Sequence, residues 1–233
     1  MSRTPRVAPI VVAIDGPAGA GKSTLARGLA RSLGVAYVNT GLMYRAVARA
    51  AVRDGLDLDD DGALASAAER IRFDLDAGDP PSLLIDGRLP DEGLQAPEVE
   101  HVVSRVSRHP GVRAVLRDAQ RRLGAGGAVM EGRDIATVVF PGADAKIFVT
   151  ASPEVRAERR LRERGRTGGE ASGIDRRDAL DARTNPLEPA PGAIVIDGTH
   201  LSVEEVLARA VAIVSAARPD DGGGPAAGGM PGG

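Results

Sequence analysis

No cysteine occurs among the 233 residues. Disulfides, thiolate zinc sites and cysteine nucleophiles are therefore excluded. Tryptophan is absent as well, and two tyrosines and three phenylalanines are all the aromatic residues. Stacking nucleic-acid bases on side-chain rings calls for more rings than that. The three histidines, His101, His109 and His200, show no metal-ligand spacing. A dominant charge is missing too: 30 basic and 32 acidic residues leave a net −2. Such a balance gives no overall pull toward nucleic acid or an anionic membrane. No apolar run approaches the roughly 20 residues of a membrane span. The run from Val7 to Ile14 is short, contains Pro9 and leads into Asp15 and a glycine-rich loop. That is the pattern of a buried strand, not of a signal peptide, and the expected location is the cytoplasm.

Lysine is nearly absent, occurring only at Lys22 and Lys146 in a background of arginine. A lysine that persists inside a motif is the more telling for it. Hydrophobic residues make up 42%, an ordinary share for one α/β domain with a sizeable core.

Short apolar strands alternate with amphipathic helices along the chain. Strands are predicted at Ile10–Ile14, Val35–Val38, Ala128–Met130, Lys146–Thr150 and Ile194–Ile196. Helices are predicted at Ser23–Leu33, stopped by Gly34, and at about Gly41–Arg53, capped by Asn39 or Thr40. Further helices are expected at Glu98–Arg108, Val112–Leu123 and from Ser152-Pro153-Glu154 to about Arg164. Ser202 and Glu205 form a capping box for a last helix, with Val203, Val206, Leu207, Ala210 and Val214 on its buried face. Between Asp54 and Pro97 the texture changes to Asp, Gly and Pro. Ile71–Leu75 and Ser82–Ile85 look like short strands there, and Asp86-Gly87 like a hairpin-type turn, which implies a small antiparallel insert. The expected organisation is one domain over 8–217 with an insert at about 54–97 and a lid at about 160–178. Residues 1–6 read as a loose leader, and 218–233 as a disordered Gly/Pro tail. Alternating strands and helices imply a parallel sheet covered on both faces.

The sharpest motif is Gly16-Pro17-Ala18-Gly19-Ala20-Gly21-Lys22-Ser23, a full G-x-x-x-x-G-K-[ST] between a strand and a helix. Its glycines let backbone N–H groups turn in around phosphate oxygens. The helix N-terminus adds positive potential. Lys22 reaches the outer phosphates, and Ser23 offers a hydroxyl to Mg²⁺. Asp15, just before the loop, either helps with Mg²⁺ through water or bonds loop amides as a structural carboxylate. The motif alone specifies a nucleoside triphosphate with magnesium.

A GTPase would need an N-K-x-D-like stretch, and Lys146 in Ala145-Lys146-Ile147-Phe148 does not fit one. A motor ATPase would usually place two acids at a strand end, where this chain has Glu131-Gly132-Arg133-Asp134. Clustered arginines suit phosphoryl transfer between two nucleotides, because guanidinium forks neutralise and orient crowded phosphates. A lid then keeps water from taking the phosphoryl group, and Gly165–Gly173, flanked by arginines, is the expected lid. A kinase for another nucleotide or small metabolite, and a nucleotide-switched binding protein, remain open on these residues alone.

Three stretches carry a resemblance. They are Ile14-Asp15-Gly16 through Ser23-Thr24, then Thr40-Gly41-Leu42-Met43-Tyr44-Arg45, then Glu131-Gly132-Arg133-Asp134-Ile135-Ala136-Thr137-Val138-Val139-Phe140-Pro141. Over roughly residues 8–217 the chain resembles the bacterial cytidylate kinases, a family of P-loop nucleoside monophosphate kinases in pyrimidine nucleotide metabolism. The resemblance implies a five-stranded parallel core with helices on both faces, an insert in the monophosphate-binding region and a short lid. It implies ATP and Mg²⁺ as cofactors and CMP and dCMP as small-molecule substrates; nothing in the sequence suggests an obligate dimer, so a monomer is expected. It places Gly16 to Thr24 and Arg160 on ATP, and Lys22, Arg45 and Arg133 at the transferring phosphates. Thr40 stands near the substrate, and Ser104, Arg113 and Asp134 read the cytosine edge. Asp181 and Arg177 hold the sugar, and Arg183 is the last phosphate-binding arginine. The chemistry is coherent: a carboxylate accepts from the cytosine amino group while a guanidinium donates to its acceptors, and uracil reverses two of these groups.

Overall fold

The computed structural model describes residues 9–163 and 188–218. Five short strands form one parallel sheet: β1 (Val11–Asp15), β2 (Ala36–Asn39), β5 (Ala128–Gly132), β6 (Ala145–Thr150) and β7 (Ile194–Asp197). Their order is β2-β5-β1-β6-β7, with β1 at the centre. Val12 pairs with Val129 on one side and with Ala145 on the other. Strands this short and β-branched suit a sheet buried on both faces.

Alternation along the strands divides two cores. Val12 and Ile14 of β1, Val129 of β5 and Ile147 and Val149 of β6 point one way. They pack against α1 (Lys22–Leu33) through Leu25 and Leu29, and against the last described helix through Ala210 and Val214. Ala13, Ala128 and Met130 point the other way. That face is covered by α2 (Thr40–Arg53), α3 (Asp61–Glu69), α4 (Pro97–Val106) and α5 (Pro110–Gly124). Ile14 and Leu29 are fully buried, and truncating either to Ala costs about 2–5 kcal/mol.

Helix ends follow their local chemistry. Asn39 caps α2 by accepting from the Leu42 N–H. Gly34 closes α1 at φ 63, the left-handed conformation that glycine adopts without penalty. Pro153 opens α6 (Pro153–Glu163). The last helix, α7 (Val203–Ala217), carries the expected capping box, with Ser202 and Glu205 bonding reciprocally. Its Val203 is 56% exposed rather than on the buried face.

The insert differs from a purely antiparallel module. β3 (Phe73–Leu75) and β4 (Leu83–Ile85) do pair antiparallel, Phe73 facing Ile85. The Asp86-Gly87 turn does not join them. Both of its residues have positive φ, and it closes Ile85 onto Arg88 beyond β4. Helix α3 was masked in the sequence by acidic punctuation, which acts as its cap: Asp60 accepts from the Ala63 N–H. Leu64, Ala67 and Ala68 then sit buried at helical spacing. Beyond β5, Ile135–Val139 form a single wide turn of π-helix, and Glu92–Gln95 a short 3₁₀ turn before α4. No helix among the described residues is long and apolar enough to cross a membrane.

Candidate active site

The loop between β1 and α1 is shaped by glycine. Gly16 has φ 148, and a Cβ there would lie 2.0 Å from the Val149 carbonyl oxygen of β6. Gly19 has φ 73, and its Cβ would lie 2.6 Å from the Arg156 carbonyl oxygen of α6. Both neighbours are backbone, so neither can move aside cheaply. Gly21 caps α1 without a side-chain bond, which leaves the capping of the first-turn amides to a ligand.

Four loop carbonyls accept from cations. Arg133 Nη1 donates to Gly16 O at 2.5 Å, and Lys22 Nζ to Pro17 O at 2.8 Å. Arg156 Nη1 donates to Ala18 O and Arg159 Nη1 to Ala20 O, each at 3.2 Å. A trans peptide that aims its carbonyl one way aims its N–H the other. Cations drawn to the carbonyls thus orient the amides that a phosphate would need.

Glu131 is the penultimate residue of β5 and is 3% exposed. Its Oε2 accepts from Ser23 Oγ at 3.0 Å and its Oε1 from the Tyr37 hydroxyl at 2.6 Å. Burial, reinforced by this carboxylate, pushes the Tyr37 hydroxyl far up. Thr40 Oγ1 donates to the Glu131 carbonyl at 2.8 Å. Asp15 is used differently. Its two oxygens accept from the Ile135 and Ala136 N–H groups at 2.9 and 2.8 Å, and it does not line the cleft. Burial raises its carboxyl, and the two amide bonds only partly offset this. Of the two roles the sequence left open for Asp15, its geometry serves the structural one. The carboxylate on Ser23 is Glu131, not Asp15.

The cleft continues from the loop as a cavity of about 310 Å³. Thr40, Arg45, Ser104, Arg113, Arg133 and Asp134 come from four separate stretches, yet all line it together with Lys22, Ser23, Thr24 and Arg160. Arg45 on α2 donates to Glu100 Oε2 at 2.5 Å and to the Leu94 carbonyl at 2.9 Å. Arg160 on α6 donates to the other Glu100 oxygen at 3.1 Å. Farther in, Arg113 on α5 pairs with Asp134, and both side chains are largely buried. Ser104 on α4 lines the same end. Burial pushes the neighbouring Tyr44 hydroxyl up to about 12.

Arg177, Asp181 and Arg183 lie outside the described residues, as do most of the expected lid, the leader and residues 219–233 of the tail. Sequence reasoning missed Glu131, Tyr37 and Glu100 as members of the site. For Glu131 a signal existed: an acid at the carboxyl end of an apolar strand.

A parallel sheet in this order, with the glycine loop at the end of its central strand and an arginine-lined cleft above, defines a P-loop kinase fold. The family model for cytidylate kinase matches residues 12–216. The chain belongs to the cytidylate kinase family and is a transferase, a nucleoside monophosphate kinase. It is 45% identical to the cytidylate kinase of Pelotomaculum thermopropionicum over 218 residues, covering 89% of this chain and 96% of that one. It is 44% identical to the cytidylate kinase of Desulfitobacterium hafniense, covering 87% and 91%. The bifunctional pantoate ligase/cytidylate kinase of a Synechococcus strain is 44% identical over 209 residues, which cover 84% of this chain and 39% of the longer protein. A solved structure from Thermus thermophilus aligns over 90% of this chain and 98% of its own, with a TM-score of 0.44 and 24% identity.

Proposed function

We propose that the chain transfers the γ-phosphoryl group of ATP to CMP and dCMP, giving CDP and dCDP, with Mg²⁺. The observation that carries this reading is one cleft with the phosphate loop at one end and the Arg113–Asp134 pair with Ser104 at the other. Arg45 and Arg133 line the same cleft, and we assign them to the acceptor phosphate.

The acceptor's phosphate oxygen is already a competent nucleophile, so no strong base is required. It would attack the γ-phosphorus in line, and the bond to the ADP oxygen would break. Catalysis would come from positioning and from charge stabilisation by Lys22, Arg45 and Arg133. Magnesium, when bound, would neutralise charge on the donor's phosphates, and Ser23 with Glu131 would hold it. The donor set fits: a hydroxyl and a carboxylate lie together beside the loop. No cluster of three or more metal-binding side chains occurs among the described residues. Magnesium commonly keeps waters and substrate oxygens and needs only one or two carboxylates. At the base end, Asp134 would accept from the cytosine amino group, while Arg113 would donate to its ring acceptors. Arg177, Asp181 and Arg183 are assigned to the sugar and phosphates by resemblance alone. The balanced charge supports small-molecule substrates over nucleic acid. We place the enzyme in the cytoplasm as a monomer.

The test is ADP formation from ATP and Mg²⁺ with CMP, dCMP, UMP, AMP and GMP offered separately. Turnover concentrated on CMP and dCMP is expected. Equal turnover with every acceptor, or none with any, would sink the cytidine assignment.

A further inference from the structure

Glu100 sits where two of the cleft's cations converge. It belongs to the first turn of α4, one turn before Ser104, and both residues line the cleft. Its two oxygens are divided between them: Oε2 accepts from Arg45 Nη2 at 2.5 Å and Oε1 from Arg160 Nη2 at 3.1 Å. Arg45 comes from α2 and Arg160 from α6, so one carboxylate joins three helices. All three side chains are largely buried.

Like charges gathered in a partly buried cleft repel unless an anion lies between them. Glu100 supplies that anion in the protein as it stands. Its arrangement is one that a phosphate would also use: two oxygens on one acidic centre, each taking a charge-assisted bond from a different guanidinium. Arg45 has a second hold besides. Its Nη1 donates to the Leu94 carbonyl at 2.9 Å, so a neutral backbone bond keeps this guanidinium aimed when the carboxylate leaves.

We propose that Glu100 stands in for the acceptor's phosphate in the free protein and gives way when that phosphate arrives. This deepens the proposed function, since it rests on Arg45 meeting the acceptor. The exchange sets a threshold. Every anion that enters must displace the carboxylate, and its apparent affinity falls by the same factor. A nucleotide offsets that loss with contacts to its base, and bare phosphate has none to offer. Glu100 is thus a specificity-determining residue that keeps the acceptor site from filling with inorganic phosphate.

The experiment is a calorimetric titration of inorganic phosphate, and separately of CMP, into the full chain and into Glu100→Gln. Ionic strength is held constant, and sodium chloride is the control. Each chain is also melted with and without phosphate. Glu100→Gln should bind both ligands about tenfold tighter, the scale of one charge-assisted hydrogen bond. It should melt below the wild type when bare and gain more from added phosphate. Phosphate held at the glycine loop is common to both chains, so the difference between them reads Glu100. Adding Arg45→Gln to the variant should abolish the gain, and a gain that survived would overturn the placement on Arg45. Equal or weaker phosphate binding in Glu100→Gln would mean that the carboxylate only braces the two arginines, and would overturn the proposal. Glu100→Ala replaces a Gln variant that does not fold, and failure of both would overturn it too. If CMP binds neither chain, the cytidine reading fails by itself, while the phosphate arm still decides the role of Glu100.

Discussion

The two ends of the cleft are built from different material. At the loop end the shape is backbone: Gly16 and Gly19 pass too close to neighbouring carbonyls to carry a side chain. At the base end the shape is side chain: Arg113, Asp134 and Ser104 reach in from α5, the turn after β5 and α4. Under the proposed function, the contrast follows from what each end would recognise. Phosphates are common to every nucleotide, and backbone amides suit them without regard to the base. A base is one pattern of donors and acceptors among several, and only side chains can match it. One end can therefore change specificity without disturbing the other.

The division can be broken at several strengths. Gly16→Ala is expected to do most. Its Cβ would meet the Val149 carbonyl at 2.0 Å, so stability should fall by about 3 kcal/mol or more, with activity lost for every acceptor. Thermal melting and ADP release both read this. Lys22→Ala comes next, with turnover down about 10²- to 10³-fold for all acceptors alike and melting little changed. Asp134→Ala should act differently, by narrowing the preference for CMP over UMP about tenfold to a hundredfold while ATP affinity holds. An equal loss with all acceptors would erase the distinction between the ends.

The smallest effect concerns Asp15, which is paired to neither end. Burial raises its carboxyl above the ordinary carboxylate range, so the native chain holds that proton more tightly than the unfolded chain does. Its contribution to stability is therefore greatest on the acid side and falls as pH rises through the raised value. Denaturant titrations of the wild type and Asp15→Asn across the acid range should diverge, the wild type losing stability relative to the variant as pH rises. Parallel curves would show that the two amide bonds cancel the burial after all.

The loop was legible in the sequence because its signal is contiguous and its flanks agree: an apolar strand, glycines, Lys22-Ser23, then Leu25 and Leu29 at helical spacing. The base-reading roles of Ser104 and Arg113 rest on resemblance alone, since nothing local marks either apart from ordinary helix surface. Glu131 escaped for a third reason. Its partners Ser23 and Tyr37 are 108 and 94 residues away in the chain, so only the folded sheet brings them together. Helix α3 was hidden by the acidic residues that start it, and Val203 satisfied the helical period yet lies exposed.

The cations resting on the carbonyls of Gly16, Pro17, Ala18 and Ala20 have a further consequence. Freezing one backbone residue out of its ensemble costs about 1–2 kcal/mol. A loop left floppy in the free protein would charge that cost against every nucleotide it captured. Here the chain's own arginines and Lys22 hold the curve in advance, so the ordering is settled during folding and the affinity for ATP is spared it.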